Sequence, residues 1–585
     1  MMSTNASSNF SKKKKICLQI FIIVIQAMQL PIDVVGLVVD HMGTRFASGR
    51  MSAAISRDWY AAFHHARDDH VGRPPGVVAS RFRWSYGVLP HQSGESDGWC
   101  SIALGEETPR ACWRAVTNLA HRSRWGLVIY PNEPTELAIA AGMGVTLMTF
   151  TAHAFQMSSL LGFHQLIRLD LINQGIGTIP GEIARVGVGL AHMQTLRHLN
   201  LGLNLIGLYD PVSDLRLECL ELHTLVLDGN PLSLNENGAS SLGGVLRSMR
   251  HLRTLHLRDV ELGANDATDV AFVLAAVASL NQLTDLDLAE NYAIGLGPTD
   301  GPAVTEMMAG LPELTTVYLH NTSLDMCAVS PNLGTARIDW LTLGGCPKTA
   351  IAWLPLVGPR LVFVDLSHMS LWQKMPQFIA LVHLMPELRS LDLGENGLGI
   401  KPEGALALSA LVDGLSSDMR ELSIYGNWVF TQLAGRSAVI GSFGRLTGLV
   451  EINLAGCNIG GEPEVVIAVS KLLAGLVALQ VVDLGHNNIV TAPVELFEAL
   501  GRLTHLRELR LPKNPLEGGL PGLTTHLSAN LERLALGQTS ITEADVDEFL
   551  VMPRLMWLGL VGCDRVSDNC RARVALRLQS NTNAR

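Results

Sequence analysis

The alternation of apolar and polar positions in residues 388–415 defines a short unit of secondary structure. Leu391 and Leu393 flank Asp392, so a strand here directs the two leucines to one face and the aspartate to the other. Pro402 follows after a loop, where the first turn of a helix tolerates its missing amide hydrogen. Apolar residues then recur at helical spacing at Ala405, Leu408, Leu411, Val412 and Leu415. The pattern predicts one strand, one loop and one amphipathic helix.

The same unit recurs through residues 166–585, with a period between 23 residues (338 to 361) and 31 residues (252 to 283). Its fifteen leading positions are Leu166, Leu196, Leu222, Leu252, Leu283, Leu314, Ile338, Leu361, Leu388, Met419, Leu449, Leu479, Leu506, Leu531 and Leu555. The ninth position of the unit is Asn204, Asn230, Asn291, Asn396, Asn427, Asn487 or Asn514 in seven units, and Cys346, Cys457 or Cys563 in three. The other five units have Gln174, Val260, Thr322, Met369 and Thr539 there.

This spacing, LxxLxLxx(N/C), resembles that of leucine-rich repeats, and the longer units resemble the ribonuclease-inhibitor-like subtype. The resemblance implies an α/β solenoid with a curved parallel sheet on its concave face and helices on its convex face. It also implies a ladder of buried asparagine amides that bond loop backbone between neighbouring coils. Valine and methionine cannot make those bonds, so we expect a locally weaker ladder at Val260 and Met369.

The composition agrees with a repeat protein and excludes some classes of binding partner. Of the 585 residues, 48% are hydrophobic and only 17% are charged, which suits coils that bury one face of each strand and helix. Nine cysteines without CxxC pairs indicate a reduced, intracellular protein without a disulfide framework or zinc site. The formal net charge of −10 makes phosphate backbones poor partners, so we expect no nucleic-acid binding.

No group of residues points to catalysis, a metal or a cofactor. Residues Gly94–Gly98 have the GxSxG spacing of a hydrolase nucleophile, but Pro90, His91 and Gln92 precede them where that motif needs a buried strand. Residues Gly344–Thr349 lack the glycine spacing of a phosphate loop. We therefore expect no catalytic residue, no metal, no cofactor and no enzyme activity.

Residues 1–27 form a basic and apolar extension. Four lysines, Lys12–Lys15, precede the apolar run Ile16–Leu30, an order typical of a signal peptide or anchor. The run is short for a membrane span and contains three glutamines. We therefore predict that translation starts at Met28, that membrane attachment is absent, and that the protein is cytoplasmic, nuclear or both. A membrane-anchored or secreted protein is the alternative if residues 12–30 act as a signal sequence.

Residues 28–67 are similar to an F-box. They open with Leu30, Pro31 and an acidic residue and close with the basic-x-Trp pattern at Trp59. The segment Gly43–Arg50 departs from the family pattern, because it is polar where the family often has leucines. The resemblance implies docking to a Skp-type adaptor, and through it to a cullin, by Leu30, Pro31, Val34, Val35, Val38, Met42, Ile55 and Trp59. The alternative is that these helices only cap the repeats.

Three further segments complete the predicted organisation. Residues 68–123 are rich in glycine, proline, arginine and serine, which is typical of an irregular connector. Residues 124–165 match the repeat spacing imperfectly, as capping repeats do. Residues 166–585 hold the fifteen repeats.

The strand positions that point away from the leucine core predict a partner-binding concave face. These positions hold the acids Asp287, Asp365, Asp392 and Asp483 and the aromatic residues Tyr318, Trp340, Phe363 and Tyr425. The first three aromatic residues lie on consecutive coils, so we expect one apolar island within an acidic surround. Such a face suits a target protein with an apolar anchor flanked by lysine or arginine.

Two functions follow from these resemblances. In the first, the protein resembles the substrate-recognition subunit of an SCF-type ubiquitin ligase, with the F-box on the adaptor and the repeats on the target protein. In the second, it is a non-enzymatic scaffold or regulatory binding protein, of the GTPase-activator-like or receptor-like kind. The segment from Leu30 to Trp59 discriminates between the two.

Overall fold

The computed structural model describes residues 166–583, apart from 235–236, 265–266, 325–328, 432, 492, 518–519 and 521–529, together with four strands between residues 83 and 149. The chain divides into two compact units, Met1–Glu261 with Asn583–Arg585 and Leu262–Thr582. The extension 1–27 and the F-box-like segment 28–67 lie outside the described residues.

The first unit contains eight strands among its described residues. They are β1 (Arg83–Gly87), β2 (Trp99–Ala103), β3 (Leu127–Ile129), β4 (Leu147–Thr149), β5 (Arg168–Asp170), β6 (His198–Asn200), β7 (Thr224–Val226) and β8 (Thr254–His256). β1 and β2 are antiparallel, and β2 to β8 pair in parallel in chain order. The helices are α1 (Glu182–Leu190) and α2 (Gly238–Ser248), with 3-10 helices at Val212–Leu215 and Leu217–Cys219.

In the second unit the described residues form eleven strands, all paired in parallel in chain order. They are β9 (Asp285–Asp287), β10 (Thr316–Tyr318), β11 (Trp340–Thr342), β12 (Phe363–Asp365), β13 (Ser390–Asp392), β14 (Glu421–Ser423), β15 (Glu451–Asn453), β16 (Val481–Asp483), β17 (Glu508–Arg510), β18 (Arg533–Ala535) and β19 (Trp557–Gly559).

The described helices of this part of the chain lie between consecutive strands or after the last one. They are α3 (Ala267–Val277), α4 (Asp300–Gly310), α5 (Leu354–Val357), α6 (Met375–Val382), α7 (Pro402–Gly414), α8 (Leu433–Phe443), α9 (Pro463–Gly475), α10 (Val494–Gly501), α11 (Glu543–Phe549) and α12 (Asp568–Asn583). Short 3-10 helices occur at Pro331–Thr335, Lys348–Trp353, Gly358–Arg360, Leu371–Gln373 and Ile459–Gly461. None of the helices in the described part of the chain is long and apolar enough to cross a bilayer.

The predicted repeat is confirmed in both units. Each of the fifteen strands β5 to β19 begins two residues after a predicted leading position, as β13 begins at Ser390 after Leu388. The predicted α/β fold class, with parallel strands alternating with helices, is therefore correct.

The core consists of the leucines that the period-two pattern selects. Leu391 and Leu393 are 1% and 0% exposed, whereas Asp392 between them is partly exposed. The helix that follows begins at Pro402, and the five apolar positions predicted for it are all buried, although the last of them, Leu415, lies one residue beyond the helix end. Each buried leucine contributes about 1.5–3 kcal/mol relative to an exposed one, so the repeated burial holds the coils together.

The asparagine ladder satisfies backbone groups that the loops would otherwise leave unpaired. The Asn427 amide nitrogen donates to the carbonyls of Leu393 (2.7 Å) and Ile424 (3.0 Å). Its Oδ1 accepts from the amides of Asn396 (3.0 Å) and Leu398 (3.1 Å) on the preceding coil. All seven ladder asparagines are buried, so each one links two coils through buried polar contacts.

Threonine and cysteine keep part of this ladder. The Thr322 hydroxyl donates to the Leu319 carbonyl at 2.9 Å, and the Cys346 thiol of the next coil donates to the same oxygen at 3.0 Å. At Met369 the backbone amide still reaches the Oδ1 of Asn396 at 3.0 Å. Threonine at the ninth position therefore replaces asparagine in part, because its hydroxyl makes one of the hydrogen bonds of the missing amide.

Candidate protein-binding face

The strand face, defined as the side of β9 to β19 away from the leucine core, carries two columns of side chains. The first column is Asp285, Thr316, Trp340, Phe363, Ser390, Glu421, Glu451, Val481, Glu508, Arg533 and Trp557. The second column is Asp287, Tyr318, Thr342, Asp365, Asp392, Ser423, Asn453, Asp483, Arg510, Ala535 and Gly559. Neighbours within a column are about 4.8 Å apart at their backbones, so their side chains interact directly.

Two aromatic residues form a stack in the first column. The rings of Trp340 and Phe363 are 3.7 Å apart at their centroids and inclined by 8°. Trp340 remains 37% exposed, so the stack presents apolar surface to solvent. Tyr318 lies in the second column, level with Thr342. The structure therefore brings together two of the three residues of the predicted apolar island and places the third in the other column.

The fourth predicted aromatic residue, Tyr425, lies across a neighbouring coil. Its ring covers Gly394, where a β-carbon would collide with the ring atoms. Its hydroxyl and the Nε2 of His368 are hydrogen-bonded at 2.9 Å. Burial, and next the charge of Asp392, raise the pKa of Tyr425. This hydrogen bond joins residues 57 positions apart, so the local sequence does not predict it. The one feature of the sequence that fits it is Gly394, which leaves space for the ring.

Asp365 and Asp392 are neighbours in the second column. Each carboxylate accepts a hydrogen bond from the backbone amide two residues later, Ser367 at 2.9 Å and Gly394 at 2.8 Å. Asp365 leans over Gly344 of the preceding coil, where a β-carbon would lie 2.8 Å from its Oδ2. No basic side chain of the described residues lies within ion-pair distance of either carboxylate.

Burial, and then the neighbouring Asp365, raise the pKa of Asp392 to about 6. The hydrogen bond from the Gly394 amide does not require a charged acceptor at Asp392. Asn200 and Asn453, at the same position of other coils, accept the same backbone bond at 2.9 and 3.0 Å without any charge. A carboxylate with a strongly shifted pKa on an open face is a typical feature of a functional site.

The other two predicted acids are less available. Asp287 is only 8% exposed, and its Oδ1 accepts from the amide of Ala289 at 2.9 Å. Asp483 accepts from the amide of Gly485 at 2.8 Å and lies 3.6 Å from the guanidinium of Arg510. Asp483 is thus paired with a basic side chain, whereas Asp365 and Asp392 have none within ion-pair distance among the described residues.

Glu421 extends this negative charge into the first column. It is exposed, and its Oε2 accepts a hydrogen bond of 2.8 Å from the Ser390 hydroxyl. Ser390 is level with Phe363 on one side and Glu421 on the other. A short side chain thus separates the aromatic stack from the carboxylate, and the pairing register of β12, β13 and β14 establishes this order.

The strand face can offer stacking surface and negative charge to a ligand. The described residues contain no group of three histidine, cysteine or acidic side chains that could hold a metal ion. The predicted adaptor-binding residues, from Leu30 to Trp59, lie outside the part of the chain that the structure describes.

Parallel strands on successive coils, a buried asparagine ladder and a helix in most coils define the leucine-rich-repeat fold, and these repeats form a scaffold of that class. No family model and no curated protein matches the sequence. Two solved structures that align with it are the leucine-rich repeat-containing protein LegL7 from Legionella pneumophila and an internalin (inlF) from Listeria monocytogenes. Each is 14% identical; the alignments cover 58% and 71% of this chain and 94% and 88% of theirs, with TM-scores of 0.34 and 0.29.

Proposed function

We propose that the protein is a non-catalytic substrate-recognition subunit of an SCF-type ubiquitin ligase. In this proposal the F-box-like segment 28–67 docks a Skp-type adaptor and, through it, a cullin. The strand face of the repeats binds the target protein.

The exposed stack of Trp340 and Phe363 beside Asp392 carries the target-binding part of the proposal. Exposed aromatic surface is costly in water and is typical of residues that anchor protein interfaces. The neighbouring carboxylates would orient a basic segment and speed its association. A target with an apolar anchor next to lysine or arginine suits this arrangement.

The ligase part of the proposal is supported by the sequence of residues 28–67. The Leu30–Pro31 opening and the closing Trp59 have the spacing of an F-box, and they precede leucine-rich repeats. A scaffold that does not join a ligase does not require the F-box pattern.

Affinity capture tests the ligase role directly. The tagged full chain is mixed with purified Skp-type adaptor and cullin, and we expect both to be retained. Trp59→Ala, or Leu30→Ala combined with Pro31→Ala, should reduce adaptor capture at least tenfold, because each removes predicted contact surface.

Trp340→Ala is the matched control, since it changes one exposed tryptophan of the strand face and should leave adaptor capture unchanged. Equal capture of the adaptor by the wild type, the Trp59→Ala variant and the double variant would contradict the ligase role. The protein would then be a scaffold whose first helices only cap the repeats.

A further inference from the structure

A short segment of the first column at β12 to β14 leaves a gap between an aromatic ring and a carboxylate. Phe363, Ser390 and Glu421 are consecutive members of that column. The backbones of the two outer residues are separated by two strand spacings, or roughly 10 Å. Only the small Ser390 side chain lies between them, and its hydroxyl donates to Oε2 of Glu421 at 2.8 Å. The carboxylate therefore leans toward Ser390, where a flat group that stacks on Phe363 meets its edge.

The same column shows what fills such a gap elsewhere. Glu508, Arg533 and Trp557 are also consecutive members, with the carboxylate and the aromatic ring in the reverse order. The Arg533 guanidinium carbon lies 5.3 Å from the centre of the Trp557 ring, and its Nε lies 3.3 Å from Glu508. The fold itself therefore places an arginine between an aromatic face and a carboxylate.

We propose that the slot formed by Phe363, Ser390, Asp392 and Glu421 binds an arginine side chain of the target protein. This inference rests on the proposed target-binding role of the strand face and names the residue that this face recognises. The guanidinium occupies the place above Ser390 that Arg533 occupies between Glu508 and Trp557. It stacks on Phe363 and pairs with Glu421.

The surroundings favour a cation at this place. The Trp340 ring stacks on the Phe363 ring with 3.7 Å between the centroids, and this contact restricts the Phe363 side chain. Asp392 follows Ser390 by two residues on β13, on the same face, and adds a second carboxylate. Among the described residues, no basic side chain lies within ion-pair distance of Asp392 or Glu421.

Arginine suits the slot better than lysine. A guanidinium is planar, so it stacks on an aromatic face while its edge donates two parallel hydrogen bonds to a carboxylate. An ammonium is a compact, strongly hydrated point charge that gains less from a narrow, flat site. The slot is therefore expected to discriminate between the two basic side chains.

The test uses a library of random twelve-residue peptides displayed on phage and selected on the immobilised full chain. We expect enriched peptides to contain an arginine beside an apolar residue. In a synthetic copy of an enriched peptide, replacing that arginine by citrulline, which has the same shape without the charge, should weaken binding at least tenfold. Replacement by lysine should weaken it at least threefold.

Three variants of the chain test the position of the site. Ser390→Arg places an internal guanidinium in the slot, as Arg533 does in its own, and should abolish peptide binding without lowering the melting temperature. Arg533→Ser opens the second gap and should leave the first site intact while adding a second, weaker one. Glu421→Gln should weaken binding at least tenfold.

The inference is overturned if the selection yields no arginine-dependent peptide, if lysine binds as well as arginine, or if Ser390→Arg binds the peptide like the wild type. A folded Ser390→Arg variant that retains adaptor capture and loses only the peptide supports it. If the wild type fails to capture the adaptor but still binds arginine-dependent peptides, the ligase role is wrong and the arginine slot is supported.

Discussion

Replacing Asp392 by asparagine should stabilise the protein at neutral pH, and only there. The carboxylate accepts the Gly394 amide at 2.8 Å, and asparagine makes the equivalent bond at Asn200 and Asn453. Asp392→Asn therefore keeps the hydrogen bond and removes the buried charge. Burial, the principal cause, and the charge of Asp365 raise the pKa from 3.8 to about 6, while the Gly394 amide, the Ser423 hydroxyl and His368 act in the opposite direction.

The size and sign of the effect follow from this shift. Each pKa unit corresponds to about 1.36 kcal/mol, so a shift of about two units corresponds to at most about 3 kcal/mol, and solvent at the partly exposed carboxylate reduces this to on the order of 1–3 kcal/mol. Between pH 4 and 6 the folded state holds a proton that the unfolded state has lost. The free energy of unfolding therefore falls as the pH rises through this range, and the full penalty is present above pH 6.

Urea unfolding of the wild type and of Asp392→Asn, followed by circular dichroism from pH 4 to 8, measures the difference. We expect almost equal midpoints near pH 4 and a higher midpoint for the asparagine variant above pH 7. Asn453→Asp, which introduces a carboxylate beside Asp483 in the same column, is the matched reversal and should lose stability only at neutral pH. A gain for Asp392→Asn that is the same at pH 4 and pH 8, or a loss at pH 8, would refute the reasoning.

Three further outcomes are expected. Leu391→Ala should lower the free energy of unfolding by about 2–5 kcal/mol and melt its neighbouring coils first, and calorimetry showing an unchanged transition would contradict the assigned core. Asn427→Ala should lower the free energy of unfolding, measured in urea, by roughly 2–5 kcal/mol, because it leaves several buried backbone groups unpaired; a loss below about 1 kcal/mol would show that the asparagine ladder does not stabilise the repeats. Trp340→Ala should cost only about 0.5–1.5 kcal/mol of stability but weaken binding of an arginine peptide at least tenfold, and the reverse ranking would make Trp340 a structural residue.

The sequence by itself determined the repeat and its core. Leu391, Leu393 and Pro402 are placed by strand and helix periodicity, which depends only on local backbone geometry. The same holds for Asn427, because its position in the unit decides which loop it faces. All fifteen strands follow from such local rules, and so does the list of residues that point away from the core.

The tertiary structure alone decided how those outward residues combine. Register between strands places Tyr318 level with Thr342, apart from the Trp340 stack. It also pairs Asp483 with Arg510 from the next coil. The direction in which a side chain leans across neighbouring coils depends on the space that those coils leave, so the period of a single repeat does not contain it. The slot above Ser390 exists because a ring, a serine and a carboxylate from three separate coils are stacked in register.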